Sequence, residues 1–207
     1  MSKPLSPPLT KVAEADFPTE FGVFRIFGFE APAGNGTEEA VVLKMGDFAE
    51  GAPPLVRIHS QCLTGDVFHS LRCDCRAQLE IALSGIAQEG KGLLIYELQE
   101  GRGIGLLNKL RAYELQDQGA DTIEANEQLG FDSDLRNYRL PGAILQFFGL
   151  KAVRLMSNNP EKVEAVEKAG VQVVERVPCL ADVVDTRLAY LRTKREKMGQ
   201  LLEFDEL

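Results

Sequence analysis

From residue 76 to about residue 177, apolar runs of strand length alternate with segments whose apolar residues recur at helical spacing. The helical segments end at glycines such as Gly90, Gly119 and Gly149, which is where a helix stop is expected. A succession of strand, helix and strand favours a sheet with helices packed on it, because each element has an apolar face to bury. The alternation therefore predicts a mixed α/β fold, as a single domain with a mixed β-sheet flanked by helices.

The residues before this region predict strands and loops. Residues 21–29 and 40–45 contain the closely spaced apolar side chains of strands. Residues 31–37 hold two glycines and a proline, which predicts a loop between the two strands. Residues 55–58 form a short apolar strand that leads directly into His59-Ser60-Gln61-Cys62. Polar residues therefore follow the end of a predicted strand without an intervening spacer.

No convincing linker interrupts the middle of the chain, so one folded domain is expected over residues 12–202. Residues 1–11 are loosely patterned and are expected to be loosely ordered. Residues 203–207 are predicted to be a C-terminal tail, and the charged stretch over residues 186–202 is predicted to be helical.

Composition excludes several classes of function. The chain has 207 residues, of which 44% are hydrophobic and 26% charged, as in ordinary globular proteins. The net charge of 23 − 31 = −8 argues against nonspecific binding along nucleic acid, which depends on a basic surface. No apolar run approaches the roughly 20 residues of a membrane-spanning helix. Residues 1–11 lack the apolar segment of a secretory signal, so we expect a cytoplasmic protein without membrane partners.

Three of the four cysteines are clustered: ten residues separate Cys62 from Cys73, and one separates Cys73 from Cys75. In a chain without a secretory signal, clustered thiols are more often metal ligands or catalytic groups than disulfides. Structural zinc normally takes four protein ligands, so three thiolates leave one position for water. The cluster therefore predicts a catalytic zinc site, in which the metal lowers the pKa of bound water.

Two other interpretations of the cluster stay open from the residues alone. The cysteines are either reduced and half-buried with no role, or part of a structural four-ligand site. His59, three residues before Cys62, or His69 would supply the fourth ligand of a structural site. Cys179 stands alone in the sequence and is predicted to be a core residue.

A glycine-rich turn, Glu100-Gly101-Arg102-Gly103-Ile104-Gly105, lies between a predicted strand and a predicted helix. Such a turn presents backbone N–H groups to anions, and Arg102 adds a bidentate phosphate donor. Lys162 lies in the first turn of a helix predicted to begin near residue 160, where a phosphate would bind and a lysine is otherwise unfavourable. A local cluster of cations can outweigh the net charge within about 10 Å, so the charge of −8 does not exclude a phosphorylated ligand.

The segment 128–136 carries two carboxylates, Asp132 and Asp134, and Arg136. One interpretation is a polar turn that Asp132 or Ser133 caps. The other is a carboxylate beside an arginine at a reaction centre. The residues alone do not separate the two.

Taken together and in order, these segments resemble the GTP cyclohydrolase II family, whose members start riboflavin synthesis. The resemblance covers about residues 12 to 202. It rests on Arg57-Ile58-His59-Ser60, Cys62-Leu63-Thr64-Gly65-Asp66, Ser70-Leu71-Arg72-Cys73-Asp74-Cys75, Glu100-Gly101-Arg102, Asn108-Lys109-Leu110-Arg111-Ala112-Tyr113, Leu115-Gln116-Asp117, Leu129-Gly130-Phe131 and Asn158-Asn159-Pro160-Glu161-Lys162.

The resemblance implies a reaction of GTP with water that gives formate, pyrophosphate and 2,5-diamino-6-(5-phosphoribosylamino)pyrimidin-4(3H)-one. Cys62, Cys73 and Cys75 would hold one zinc ion per subunit, whose hydroxide would attack C8 of guanine. A magnesium ion would bridge the phosphates, as is usual for nucleotides. The family also implies a homodimer.

The resemblance further implies residue roles. Asp134 matches the family's proposed proton acceptor, Arg136 its proposed nucleophile towards the α-phosphate, and Tyr113 a tyrosine of the later steps at the ring. A guanidinium keeps its proton in proteins, so the alternative is that Arg136 stabilises charge on the phosphate. The family's GTP-binding positions correspond to Arg57, Ile58, His59, Ser60, Gln61, Gln78, Glu100, Gly101, Arg102, Thr122, Ser157 and Lys162.

Four positions differ from the common family pattern. Gln61 replaces a frequent glutamate, Ser157 a frequent threonine, Arg76 a usual glycine and Gln200 an expected histidine. The alternative function is therefore a noncatalytic or altered-product homologue, for example one that stops at the ring-opened formamide. The phosphate-side residues favour the enzyme, because a structural zinc module has no need of them.

Overall fold

The computed structural model describes residues 8–34, 36–49, 51–132, 134–181, 195 and 199–201. In this part of the chain seven strands form one mixed sheet, with the strand order β1-β2-β3-β5-β4-β6-β7. The strands are β1 (Thr10–Thr19), β2 (Gly22–Ala33), β3 (Gly36–Met45), β4 (Leu55–Ser60), β5 (Gly92–Glu97), β6 (Ala152–Met156) and β7 (Gln172–Val177).

Helices occupy most of the connections in the second half of the chain. They are α1 (Leu63–Asp66), α2 (Cys75–Glu89), α3 (Leu106–Asp117), α4 (Thr122–Gln128), α5 (Arg139–Phe147) and α6 (Pro160–Lys168), and a 3₁₀ turn spans Glu100–Gly103. The predicted mixed α/β class, with one mixed sheet and helices around it, is confirmed. Within the described residues, no helix has the length and apolar character needed to cross a membrane.

The sheet combines an antiparallel part with a parallel part. β1 to β3 form an antiparallel meander, and β3 also pairs antiparallel with β5. β4, β6 and β7 are parallel. Parallel strands end at the same edge of a sheet, so His59 at the end of β4 and Ser157 directly after β6 reach a common edge. β4 is buried from Leu55 to His59, as expected for a strand covered on both faces.

The described residues fall into two compact units, which the chain enters in turn. The first comprises residues 1–59, 80–98 and 137–179, and the second residues 60–79, 99–136 and 180–207, as far as each is described. The main hydrophobic cluster, which includes Phe27, Ile95 and Ile144, lies entirely within the first unit. In the second unit the buried apolar residues of the described part are Cys62, Cys73, Ile104, Ala112 and Ala125.

The N-terminal region is more regular than its sequence indicates. β1 begins at Thr10, two residues before the expected domain boundary. Nearly all of its residues are exposed, so its sequence lacks the alternation of apolar and polar residues that indicates a strand. β2 continues to Ala33 and β3 begins at Gly36, so strand replaces most of the loop expected over residues 31–37. Pro32 is accommodated because β1 pairs with β2 only as far as Glu30.

Several expectations fall on residues outside the described part. These are residues 1–7 of the N-terminus, the tail at residues 203–207 and most of the helix predicted over residues 186–202. The domain boundaries at residues 12 and 202 stay predictions.

Candidate metal centre and active site

Cys62, Cys73 and Cys75 come together in the second unit. Their sulfur atoms all lie within 4.8 Å of one another, and Sγ of Cys62 is 3.6 Å from Sγ of Cys73. Tetrahedral zinc with Zn–S bonds of about 2.3 Å holds its sulfurs about 3.8 Å apart. The three residues therefore fit a zinc ion. Among the described residues, this group of possible ligands contains neither histidine.

Local structure places the three sulfurs. Cys62 lies directly before α1, and Cys75 is the first residue of α2. A Cβ atom on Gly65, in the middle of α1, would lie 2.8 Å from Sγ of Cys73 and 3.1 Å from Cβ of Cys75. Only glycine leaves this space free. The backbone N–H of Cys62 also donates to the Asp66 carboxylate at 3.0 Å. This bond links Cys62 to Asp66, the last residue of α1.

The sulfurs share negative charge unequally. Hydrogen bonds from Cys73 and then Cys75 hold the pKa of the Cys62 thiol far below its usual range. The contact with Cys62 raises the pKa of Cys73 to about 11, and contacts with Cys62 and Cys73 raise the pKa of Cys75 well above normal. A divalent cation among the sulfurs removes this competition, because it stabilises all three as thiolates.

Lys109 of α3 contacts the cluster directly. Its Nζ lies 3.1 Å from Sγ of Cys62 and 2.8 Å from Oε1 of Glu100. Burial opposes the charge of Lys109, but the negative charges of Cys62 and Glu100 outweigh it and raise the pKa of the ammonium. Glu100 also accepts the backbone N–H groups of Leu63 at 2.6 Å and of Gly101 at 3.0 Å. The Glu100 carboxylate, a predicted GTP contact, is thus engaged by donors of its own unit.

Tyr113, one turn further along α3, lies beside the same cluster. Its hydroxyl is 3.3 Å from Oγ1 of Thr64, which in turn is 3.6 Å from Sγ of Cys62. The guanidinium of Arg72 lies 4.8 Å from the centre of the Tyr113 ring and pairs with Asp117. Burial raises the pKa of Tyr113, so its hydroxyl stays protonated at neutral pH. The structure therefore places the predicted tyrosine next to the cysteines.

The glycine-rich turn holds Arg102 in an unusual conformation. Gly101 and Arg102 have φ of 62° and 60°, in the left-handed region, which costs a non-glycine residue roughly 1–2 kcal/mol. Nη1 and Nη2 of Arg102 are buried, and no hydrogen-bond partner for them exists among the described residues. Burying such donors unpaired is unfavourable, so Arg102 is suited to bind an anion.

Asp134 and Arg136 form a close pair. Nε of Arg136 lies 2.9 Å and 3.1 Å from the two carboxylate oxygens of Asp134, and Nη2 donates to the same carboxylate. Nη1 lies 3.3 Å from Oγ of Ser60. Burial favours the neutral form of Asp134, but Arg136 outweighs this effect and lowers the pKa of the carboxyl. The predicted carboxylate–arginine pair is present, whereas Ser133 lies outside the described residues.

In the first unit, two buried cations, Arg57 of β4 and Lys162 of α6, donate to backbone carbonyls of the parallel strands. Nη1 of Arg57 donates to the carbonyl of Met156 at 3.1 Å. Nζ of Lys162 donates to the carbonyl of Ile58 at 2.9 Å and lies 5.2 Å from the centre of the Tyr138 ring. Both cations are only 6% exposed. This edge of the sheet therefore carries two buried positive charges.

The start of α6 is fixed by its own side chains. Asn159 caps the helix by accepting the N–H of Glu161 at 3.0 Å, and Pro160 occupies the first turn. The hydroxyl of Ser157 accepts the N–H of Asn159 at 3.1 Å and donates to its carbonyl at 3.2 Å. Lys162 therefore lies in the first turn of this helix, as predicted.

The remaining predicted contacts lie in both units. His59 is 2% exposed, and its ring stacks on Tyr96 with 5.4 Å between centroids. Gln78 is buried in α2 and donates to the Asp74 carboxylate at 2.6 Å. Thr122 is the first residue of α4, and a reciprocal cap between Asp121 and Glu124 fixes the start of this helix. Gln61 is half-buried.

Comparison with known proteins decides the family. Residues 10–178 match the family model described as GTP cyclohydrolase II. The chain is 54% identical over 194 residues to a GTP cyclohydrolase-2 of Actinobacillus succinogenes, which covers 94% of this chain and 88% of that protein. It is 53% identical over 195 residues to a GTP cyclohydrolase-2 of Hahella chejuensis, covering 94% and 93%. The chain belongs to the GTP cyclohydrolase II family.

Membership of the GTP cyclohydrolase II family confirms the resemblance and the expectation that the chain is an enzyme. A GTP cyclohydrolase-2 of Haemophilus influenzae (strain PittGG) is 54% identical over 192 residues, covering 92% of this chain and 88% of its own. The cluster of three cysteines is a possible metal site, as predicted. The roles of the individual site residues stay predictions.

The sequence interpretation missed two side chains around the cluster, namely Lys109 and Thr64. One signal was available, because Lys109 and Tyr113 are four residues apart on a predicted helix and so share a face. Cys179 was interpreted correctly: it is fully buried in the first unit, where Asn158 bonds both of its backbone groups.

Proposed function

We propose that this protein hydrolyses GTP to formate, pyrophosphate and the diaminopyrimidinone ribosylamine phosphate, the first step of riboflavin synthesis. One observation carries the proposal: the three-sulfur cluster and the Asp134–Arg136 pair belong to the same compact unit. A structural zinc module would need the cysteines alone. Family membership supplies GTP as the substrate class.

The cysteine side of the site is proposed to serve the guanine ring. Zinc, when bound to Cys62, Cys73 and Cys75, supplies a Lewis acid that activates water at neutral pH. The chain holds the three sulfurs at the spacing of a tetrahedral site. The Tyr113 hydroxyl, which its raised pKa keeps protonated, is proposed as a proton donor in the later steps at the ring.

The Asp134–Arg136 pair is proposed to serve the α-phosphate. Arg136 stays protonated, and it becomes a nucleophile only if a carboxylate takes its proton during the attack. The lowered pKa of Asp134 makes that carboxylate a weak acceptor at neutral pH. The geometry therefore favours Arg136 as a stabiliser of charge on the phosphate, with Asp134 fixing the guanidinium plane.

Phosphate contacts are proposed for three further cations, Arg102, Arg57 and Lys162. Arg102 is the strongest candidate, because its two terminal nitrogens are buried and have no acceptor within the described residues. Glu100 is proposed to position this turn through the three donors that it receives, in addition to its predicted contact with GTP. Magnesium is proposed to accompany the triphosphate, where it would offset negative charge, as is usual in nucleotide chemistry.

The positions that differ from the family pattern do not favour an altered product. Arg76 donates to the carbonyl of Asp66 at 2.9 Å, and so ties α2 to the end of α1. Ser157 keeps a hydroxyl that bonds both backbone groups of Asn159. We therefore retain complete turnover to formate and pyrophosphate as the proposal.

The setting proposed for the enzyme is the cytoplasm, as a homodimer that binds GTP and neither nucleic acid nor membrane. The net charge of −8 opposes binding along nucleic acid. Light scattering of the purified protein tests the dimer, and a monomeric mass at micromolar concentration would contradict it.

The activity test is direct. Zinc-loaded protein is incubated with GTP and magnesium, and formate, pyrophosphate and the pyrimidine product are measured together. Equal amounts of formate and pyrophosphate are expected. Pyrophosphate or GMP without formate would contradict the proposed reaction and point to an altered enzyme.

A cysteine variant tests the metal assignment separately. Cys73→Ser is expected to lose bound zinc and formate release together, because a neutral hydroxyl replaces one of three ligands. Cys179→Ala is the matched control, since Cys179 belongs to the first unit and should leave zinc content unchanged. A Cys73→Ser protein that keeps both zinc and full formate release would overturn the assignment.

A further inference from the structure

Lys109 and Glu100 form an ion pair that is largely withdrawn from water. Their side chains are 12% and 8% exposed, and their charged atoms are 2.8 Å apart. Withdrawing two charges from water is unfavourable before their attraction is counted. The mutual contact accounts for part of that cost. The ammonium has a second partner, Sγ of Cys62 at 3.1 Å.

The pair holds Cys62 from two sides. On one side Lys109 contacts the sulfur itself. On the other, Oε2 of Glu100 accepts the N–H of Leu63, the residue directly after Cys62, at 2.6 Å. The contacts make a closed ring from Cys62 through Lys109 and Glu100 to Leu63. A movement of the ammonium would therefore disturb both the sulfur and the backbone that carries it.

The net charge of a three-cysteine metal site explains why a cation in this ring of contacts would be favourable. One Zn²⁺ and three thiolates sum to a charge of −1, which is unfavourable in a largely buried place. An ammonium bonded to one thiolate offsets this surplus. It also withdraws electron density from the sulfur, and contacts of this kind to a ligand tune the metal.

We infer that Lys109 is a positioning residue of the metal centre: its ammonium neutralises the surplus charge at Cys62 and, through Glu100, fixes the orientation of that ligand. This inference rests on the proposed function, because it requires that the cysteines hold a metal. Lys109 also lies 5.8 Å from the centre of the Tyr113 ring, so the same helix face orders both groups.

Cobalt substitution tests the inference through a signal other than activity. Co²⁺ bound to thiolates gives a charge-transfer absorption whose energy reports how strongly the sulfurs donate. Lys109→Met keeps most of the side-chain length and removes the ammonium. We expect its charge-transfer band to move to longer wavelength, its zinc affinity in chelator competition to fall about 10–100-fold, and its kcat to fall by a similar factor. Its KM for GTP is expected to change much less.

Conservative rescue and a surface control sharpen the test. Lys109→Arg keeps a cation and is expected to recover part of the native band position and kcat. Lys168→Met removes the ammonium of another Lys–Glu pair, the one with Glu164, whose side chains are 72% and 63% exposed. That control is expected to leave the band and kcat at native values. A Lys109→Met protein with the native band and native kcat would overturn the inference.

A double variant separates tuning from simple charge balance. If Lys109 serves only to neutralise Glu100, then Glu100→Gln combined with Lys109→Met should restore the native cobalt spectrum and kcat, and the inference is wrong. If the band stays displaced in the double variant, the ammonium acts on the sulfur. Failure of the metal site is distinguishable, because the native protein would then show no cobalt–thiolate band at all. Failure of the proposed reaction is distinguishable as well, because the native protein would show the band but release no formate from GTP.

Discussion

The electrostatic surroundings of the Asp134 carboxyl decide in which pH range this residue titrates. Burial alone would raise its pKa, but the hydrogen bonds and charge of Arg136 lower it below the ordinary value of 3.8. A carboxyl whose folded pKa is lowered contributes its full stability above the ordinary value and loses it as pH falls through the folded value. The Asp134–Arg136 pair should therefore stay ionised at every pH above about 4.

We predict that Asp134 causes no change of activity near neutrality. The pH profile of kcat/KM should show no acidic limb from this group above about pH 5, and Asp134→Asn should lower pyrophosphate release about 100-fold across the whole range. Parallel profiles of the native protein and Asp134→Asn check this. A native limb between about pH 5 and 7 that disappears in Asp134→Asn would mean that Asp134 titrates near neutrality as a base.

Single residues of the site were predictable where chemistry marks them in the sequence. Three cysteines within fourteen residues indicate a metal site by their type and spacing alone. The contact of Lys109 with Cys62 was not predictable in the same way, because 47 positions separate the two residues and only the fold brings them together. The left-handed Arg102 is a further case, since a non-glycine residue rarely adopts that backbone and nothing in its side chain indicates it.

At the scale of elements, the glycine-rich turn and the segment that carries Asp134 and Arg136 fit closely together. The N–H of Leu135, which lies between those two residues, donates to the carbonyl of Arg102 at 3.0 Å. Gly103 has φ of +92°, and a Cβ atom there would lie 3.0 Å from Cβ of Leu135 and 3.2 Å from its carbonyl carbon. The turn can therefore approach this segment only with glycine at position 103.

Gly103→Ala is predicted to damage the site more than the fold. The positive φ should cost about 1 kcal/mol of stability, and the added methyl should displace Leu135 together with its two neighbours. Because a small misplacement of a catalytic group costs up to about 100-fold in rate, we expect pyrophosphate release to fall by at least about 10-fold. Denaturant unfolding and pyrophosphate release, measured on the same preparation, test both expectations.

Gly119→Ala is the matched control for that variant. Gly119 also has a positive φ, +106°, but a Cβ atom there would have nothing within 4 Å. It should lose comparable stability and retain nearly full activity. Equal losses of activity in the two variants would show that backbone strain at a positive φ, and not displacement of Leu135, explains the loss in Gly103→Ala.

The sequence best predicts those elements whose starts or ends are marked by residues such as asparagine, proline or glycine. The helix that starts at Pro160 was predicted, because an Asn-Pro pair marks its start. α1 was missed because four residues are too few to show a period. α4 was missed although a cap links Asp121 with Glu124, a pattern that signals a helix start.

At the scale of the whole molecule, apolar burial is distributed unequally between the two units. The main cluster of eighteen buried residues belongs to the first unit, with Phe27, Leu155 and Val166 among its members. In the described part of the second unit, the buried apolar residues are few and mostly small, and two of them are metal-site cysteines. A unit with so small an apolar core commonly depends on a metal or crosslink for stability.

We therefore predict that chelation loosens the second unit before the first. A metal at 100 times its Kd stabilises the folded state by about 2.7 kcal/mol, so its removal should lower Tm by roughly 5–10 °C. Hydrogen exchange after chelation should quicken in residues 60–79 and 99–136 and change little in residues 80–98 and 137–179. Zinc added back should restore protection, Cys179→Ala should respond like the native protein, and Cys73→Ser should not respond to the chelator. A uniform increase of exchange over both units would instead mean that the metal supports the entire fold as one cooperative unit.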